Sequence, residues 1–80
     1  MQYDHIEKAI LDNGFRKVGI RTFADPDDEI VIKVRSERLN TRLIARRGRQ
    51  EIGQEVIDAD SDKAIYLQAF DAVSYLANSR

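Results

Sequence analysis

The sequence predicts an α+β fold in the order helix, three- or four-stranded antiparallel sheet, helix, with both helices on one sheet face. Three observations predict it. Apolar residues recur at helical spacing near both ends of the chain. Between them they alternate with polar residues at a period of two. The period-two runs are joined by connections of hairpin length, which makes the sheet antiparallel. Two amphipathic helices need one apolar surface to cover, so both are expected on the same side of the sheet. The opposite side is then expected to stay open to solvent.

Asp4 is expected to open the first helix, with Glu7 three residues later in capping-box spacing. Ile6, Ala9, Ile10 and Asn13 share one face, with Leu11 beside it. Asn13-Gly14 closes the helix, because glycine enters the left-handed conformation of a terminal turn without steric cost. Phe15 can then fold back onto it.

Residues 17–24 alternate and read as one strand. In that register Val18, Ile20 and Thr22 point to one side, and Lys17, Arg21 and Phe23 to the other. Asp25-Pro26-Asp27-Asp28 is a turn, since proline fixes φ and aspartate bonds its own backbone. Residues 30–37 form the next strand, with Ile30, Ile32 and Val34 inward and Val31, Lys33 and Arg35 outward. After Arg38-Leu39-Asn40, residues 41–47 form another, with Leu43 and Ala45 inward and Arg42, Ile44 and Arg46 outward. Gly48 breaks the pattern, and residues 50–57 read as a fourth strand or as a single helical turn around Ile52 and Val56. Asp60 or Ser61 caps the last helix, where Ile65, Ala69, Val73 and Leu76 form the apolar stripe. Tyr66, Phe70 and Ala77 widen that stripe, and Gln68, Asp71, Ser74 and Asn78 lie opposite.

Eighty residues make one domain, 1–80, with little spare chain for a deep cleft. The start of the chain lacks the basic-then-apolar pattern of a signal peptide, and no apolar run approaches the roughly 20 residues of a membrane helix. Without cysteine there is no disulfide framework or thiolate metal site, which fits a cytoplasmic location.

Charge is segregated along the chain. Residues 30–49 carry seven basic side chains against Glu37, a net of +6, while residues 50–80 carry a net of −4 and residues 25–29 also −4. The expected binding surface is therefore the open sheet face and its flank: Arg21, Phe23, Lys33, Arg35, Arg42, Ile44, Arg46, Arg47 and Arg49. Like charges gathered on one face repel, whereas a purely structural face mixes signs. Arginine suits bidentate contacts with carboxylate or phosphate, and Phe23 and Ile44 supply apolar area.

No catalytic residue, cofactor or metal ligand is expected. His5 is the only histidine and has no cysteine to join it in a metal site. Ser36, Ser61, Ser74 and Ser79 lack a nucleophile-elbow context, and the four glycines are too scattered for a phosphate loop. Asp58-Ala59-Asp60-Ser61-Asp62 begins like a calcium loop, but Lys63 and Ala69 occupy the positions that need Gly and Glu. Those acids instead suit a helix N-terminus.

In element order the chain resembles the double-stranded RNA-binding domain. That family's lysine cluster at the start of the last helix is replaced here by Asp58, Asp60 and Asp62, with Lys63 alone, so RNA binding is not carried over. In general build it also resembles the small anti-CRISPR proteins of phages and mobile elements. These are short, non-catalytic and rich in charges of both signs. One type II inhibitor family among them is similar in having a short helix, a three-stranded meander and a helix. Residues 25–29 and the acidic stretch 51–62 would supply the acidic surface such inhibitors use. The resemblance implies an inhibitor of a CRISPR-type nucleoprotein complex in the host cytoplasm.

The leading expectation is thus a non-catalytic module that binds a larger protein or nucleoprotein complex. The alternative is a nucleic-acid binder using the same basic face, with Phe23 stacking on a base. A third reading is a self-associating subunit, monomeric or a small homo-oligomer, joined through its sheet edges and Leu39, Leu67 and Tyr75. No membrane partner is expected.

Overall fold

The computed structural model describes residues 2–78. Arg80, counted above in the acidic segment, lies outside them. The chain runs α1 (Gln2–Asp12), β1 (Arg16–Gly19), β2 (Thr22–Ala24), β3 (Ile30–Ser36), β4 (Thr41–Arg47), β5 (Gln50–Ile57) and α2 (Asp62–Ala77). The strands form one antiparallel meander in the order β1-β2-β3-β4-β5. The α+β class and the antiparallel sheet agree with the sequence, but the sheet has five strands rather than three or four.

The extra strand comes from residues 17–24. Instead of one strand they make a hairpin that turns at Ile20-Arg21, closed by the pair Gly19 and Thr22. Arg21 takes a φ of 52°, a left-handed value that arginine rarely adopts. Several contacts hold it there. Its carbonyl accepts from the Val34 N–H at 2.9 Å, its Nη1 donates to Ser36 Oγ at 2.6 Å, and its guanidinium lies 4.6 Å from the centre of the Tyr3 ring. Val18 is an additional residue bulged out of the β1–β2 ladder. The turn reverses the alternation between β1 and β2, and the bulge reverses it again within β1, so Lys17 and Phe23 share the helix side. Phe23 pairs with Ile32 and is fully buried, while Val18 and Ile20, expected inward, are exposed.

The helices follow the sequence closely. α1 begins by Gln2, so Asp4 lies inside the first turn rather than opening it, where its charge still complements the helix N-terminus. Gly14 closes the helix at φ 91°, and Phe15 is buried against the core. Ser61 caps α2 by accepting from the Ala64 N–H. Asn13 fastens the two helices together: its side-chain N–H donates to the Phe70 carbonyl at 3.3 Å, and its Oδ1 accepts from Ser74 Oγ at 2.8 Å. Ser74 and Gln68, expected on the solvent side of α2, are half-buried and bonded.

Both helices shelter one sheet face. Ile6, Ala9 and Ile10 of α1 and Ile65, Ala69, Val73 and Leu76 of α2 join Phe23, Ile32, Leu43, Ala45 and Ile57 in a common apolar core. α2 lies over β4 and β5, with α1 beside it toward β1. Each large side chain so buried contributes about 1.5–3 kcal/mol relative to exposure. The strand residues between these inward positions project from the other side of the sheet.

Candidate functional site: the open sheet face

Antiparallel register sets the open face out in three rows across the strands. Val31 of β3 stands opposite Arg46 of β4, and Arg46 opposite Glu51 of β5. The middle row is Lys33, Ile44 and Gln54, and the third is Arg35, Arg42 and Val56. Val31, Ile44 and Val56 therefore form an apolar diagonal, each step joining residues one strand and two positions apart, about 7–8 Å. All three are half-buried by their neighbours. Lys33 lies on one side of this diagonal and Arg46 on the other.

A hydrogen-bonded chain occupies the third row and its flank. Glu37 Oε2 accepts from Arg35 Nη2 at 2.9 Å and from Arg42 Nε at 3.0 Å. Arg42 Nη1 donates to Gln54 Oε1 at 2.9 Å, and Gln54 Nε2 donates to Glu51 Oε2 at 2.8 Å. Arg35 and Arg42 are direct cross-strand neighbours, an arrangement of like charges that would repel. The carboxylate between them offsets that repulsion. The hydrogen bonds from Arg42 and then Arg35 hold the Glu37 carboxyl below the usual carboxylate range, and Glu37 in turn raises Arg42. Among the described residues, Lys33 and Arg46 have no ion-pair partner.

Five of the nine residues expected to bind a partner share this face: Lys33, Arg35, Arg42, Ile44 and Arg46. Arg47 pairs with Ile30 and Gln50, which turns it toward the helix side at one end of the sheet. Arg49 sits in the two-residue β4–β5 turn after Gly48, whose φ is 63°. Arg21 and Phe23 do not belong to the face. Arg21 is held in its turn against Tyr3 and Ser36, and Phe23 is a core residue. Lys17, also expected outward, reaches Glu7 of α1 at 3.2 Å on the helix side.

Glu37, Glu51, Gln54 and Val56 lie outside the set of binding residues expected from the sequence. The tight Gly48-Arg49 turn would by counting place Gln54 and Val56 on the helix side. A bulge at the Ala45/Arg46 step shifts the β5 register by one and puts them on the open face instead. With Glu37 and Glu51 included, four cations meet two carboxylates here, a net of +2 rather than the strongly basic surface that linear charge counting suggests.

Among the described residues no pocket forms, and no three His, Asp or Glu side chains converge as metal ligands would. No described helix is long and apolar enough to cross a membrane. No protein-family model, curated protein or solved structure matches this chain.

Proposed function

We propose that this protein is a non-catalytic binding module that docks an acidic surface of another protein on its open sheet face. The observation that carries the reading is the apolar diagonal Val31–Ile44–Val56, bordered on either side by Lys33 and Arg46 without counter-ions of their own. Apolar area supplies affinity, and flanking charges supply orientation and specificity. The Arg35–Glu37–Arg42–Gln54–Glu51 chain supports the reading in another way. Side chains already held in place lose less freedom when a partner arrives.

Glu37 and Glu51 favour a protein partner over a phosphate backbone. With two of the four cations on the face engaged by Glu37, only Lys33 and Arg46 remain for phosphates, and two such contacts give a log–log salt slope of only about −2. The test is capture of proteins from native host extract by the wild-type chain and by Lys33→Glu/Arg46→Glu, with folding of both checked by circular dichroism. The reading expects an acidic protein retained by the wild type and lost by the variant. Identical capture profiles would overturn it, and a low-salt gel shift with single-stranded DNA or RNA would put nucleic acid in the partner's place. The narrower form, an inhibitor of a CRISPR-type complex, rests on general build. It expects slower target cleavage by a type II effector when the protein is added, and unchanged cleavage would remove it.

A further inference from the structure

The helix layer carries a surface that answers the open face. Leu67, Asp71 and Tyr75 occupy successive turns of one exposed ridge of α2. Leu67 is 49% exposed and Tyr75 65%, although the other apolar residues of the helix are buried or half-buried. Asp71 lies between them and has no ion-pair partner among the described residues. From Leu67 to Tyr75 the ridge spans about 12 Å along the helix. The open face presents the converse pattern on the opposite side of the same molecule. Its apolar diagonal is about 15 Å long, with Lys33 and Arg46 beside its centre.

We propose that copies of this chain associate front to back, the Leu67–Asp71–Tyr75 ridge of one molecule lying on the Val31–Ile44–Val56 diagonal of the next. This rests on the docking role of the open face and names one occupant for it, a second copy. Leu67 and Tyr75 cover the diagonal, and Asp71 meets one of the two flanking cations. The charges of the two layers agree with this choice: residues 58–78 carry four aspartates against Lys63, and the open face is net positive. Because the two surfaces differ and lie on opposite sides, the contact does not close on itself. Each added copy leaves one ridge and one face unpaired, so the assembly grows open-ended. An α2 ridge seated on the open face also excludes any other partner from it.

The test is sedimentation velocity of the full chain from about 10 to about 500 µM, which covers association with dissociation constants in the tens to hundreds of micromolar. The wild type is expected to show a mean mass that keeps rising with concentration and falls when salt is raised, since exposed charge pairs are screened. Lys33→Glu/Arg46→Glu, which blocks the face, and Leu67→Gln/Tyr75→Gln, which blocks the ridge, should each remain monomeric. Mixed together, they retain one competent ridge and one competent face between them, and should form a 1:1 dimer and nothing larger. A wild type that is monomeric throughout, a closed dimer, or a mixture that stays monomeric overturns the proposal. If the wild type stays monomeric but still captures a partner lost by Lys33→Glu/Arg46→Glu, only the stacking fails. If that variant changes neither experiment, the docking role of the face fails with it.

Discussion

Gly53 of β5 lies so close beneath Leu76 of α2 that a β-carbon on the glycine would stand 2.8 Å from Leu76 Cδ2. Leu76 is fully buried, so its methyl cannot swing into solvent. The missing side chain is what lets α2 settle onto the last strand. Gly53→Val should therefore lower stability by about 1–3 kcal/mol through overpacking. Urea unfolding should show the midpoint falling with its slope unchanged. An unaltered midpoint would mean that Leu76 does not rest on Gly53.

Phe23 and Ile44 separate folding from binding. Phe23 is fully enclosed in the core, and Phe23→Ala should cost about 3–5 kcal/mol. That is most of the stability expected of a domain this small. Ile44 is only half-buried, on the open face, and Ile44→Ala should cost about 1 kcal/mol or less while weakening partner capture. Thermal unfolding and capture measured on both variants decide the matter. A Phe23→Ala chain that melts like the wild type would place this residue outside the core.

Much of the fold is legible in the residues because long periodic runs carry it. The stripes of the two helices and the inward positions of β3 and β4 each repeat over several turns or pairs, and the structure keeps them. The errors arise where a single residue changes the phase. Ile20-Arg21 lacks the Gly, Asn or Pro that usually marks a tight turn, so residues 17–24 read as one strand and Phe23 falls on the wrong face. The bulges carry only an adjacent glycine as a mark, Gly19 beside Val18 and Gly53 opposite Ala45, a cue outside the period-two pattern. Charge counting finds the basic strands, but it cannot see that Glu37, at the end of β3, folds back between Arg35 and Arg42.

That position of Glu37 gives a prediction about the potential of the open face. Glu37→Gln leaves the geometry largely intact but removes the one negative charge that Arg35 and Arg42 share. Affinity for an acidic partner should rise. Weak binding to single-stranded DNA should become more salt-sensitive, its log–log slope steepening by up to about 1.4 as both arginines become available to phosphates. Fluorescence anisotropy with a labelled oligonucleotide at several salt concentrations reads this directly. An unchanged slope would show that Arg35 and Arg42 do not point toward a bound ligand.

The bond between Tyr66 and Asp12 joins the helices at their outer surface and should shape both ends of the pH profile. Tyr66 Oη donates to Asp12 Oδ2. That bond, followed by the one from Lys8, lowers the Asp12 carboxyl from its usual range, and the same bond raises the Tyr66 phenol. A carboxyl that binds its proton less readily when folded contributes stability above the ordinary carboxylate range. The contribution disappears as pH falls through the lowered folded value. The phenol acts in the opposite sense: its contribution is present below the ordinary tyrosine range and disappears as pH rises through the raised folded value. Tyr66→Phe should therefore move the Asp12 titration upward, toward the usual aspartate range, with Lys8 holding it partly down. It should also reduce the difference in melting temperature between neutral pH and either extreme. Carboxyl-detected NMR titration of Asp12 in the wild type and the variant checks the first expectation, and melts at acidic, neutral and strongly alkaline pH check the second. An Asp12 titration that does not move would show that Lys8 alone sets it and that the Tyr66 hydroxyl contributes nothing to holding α1 against α2.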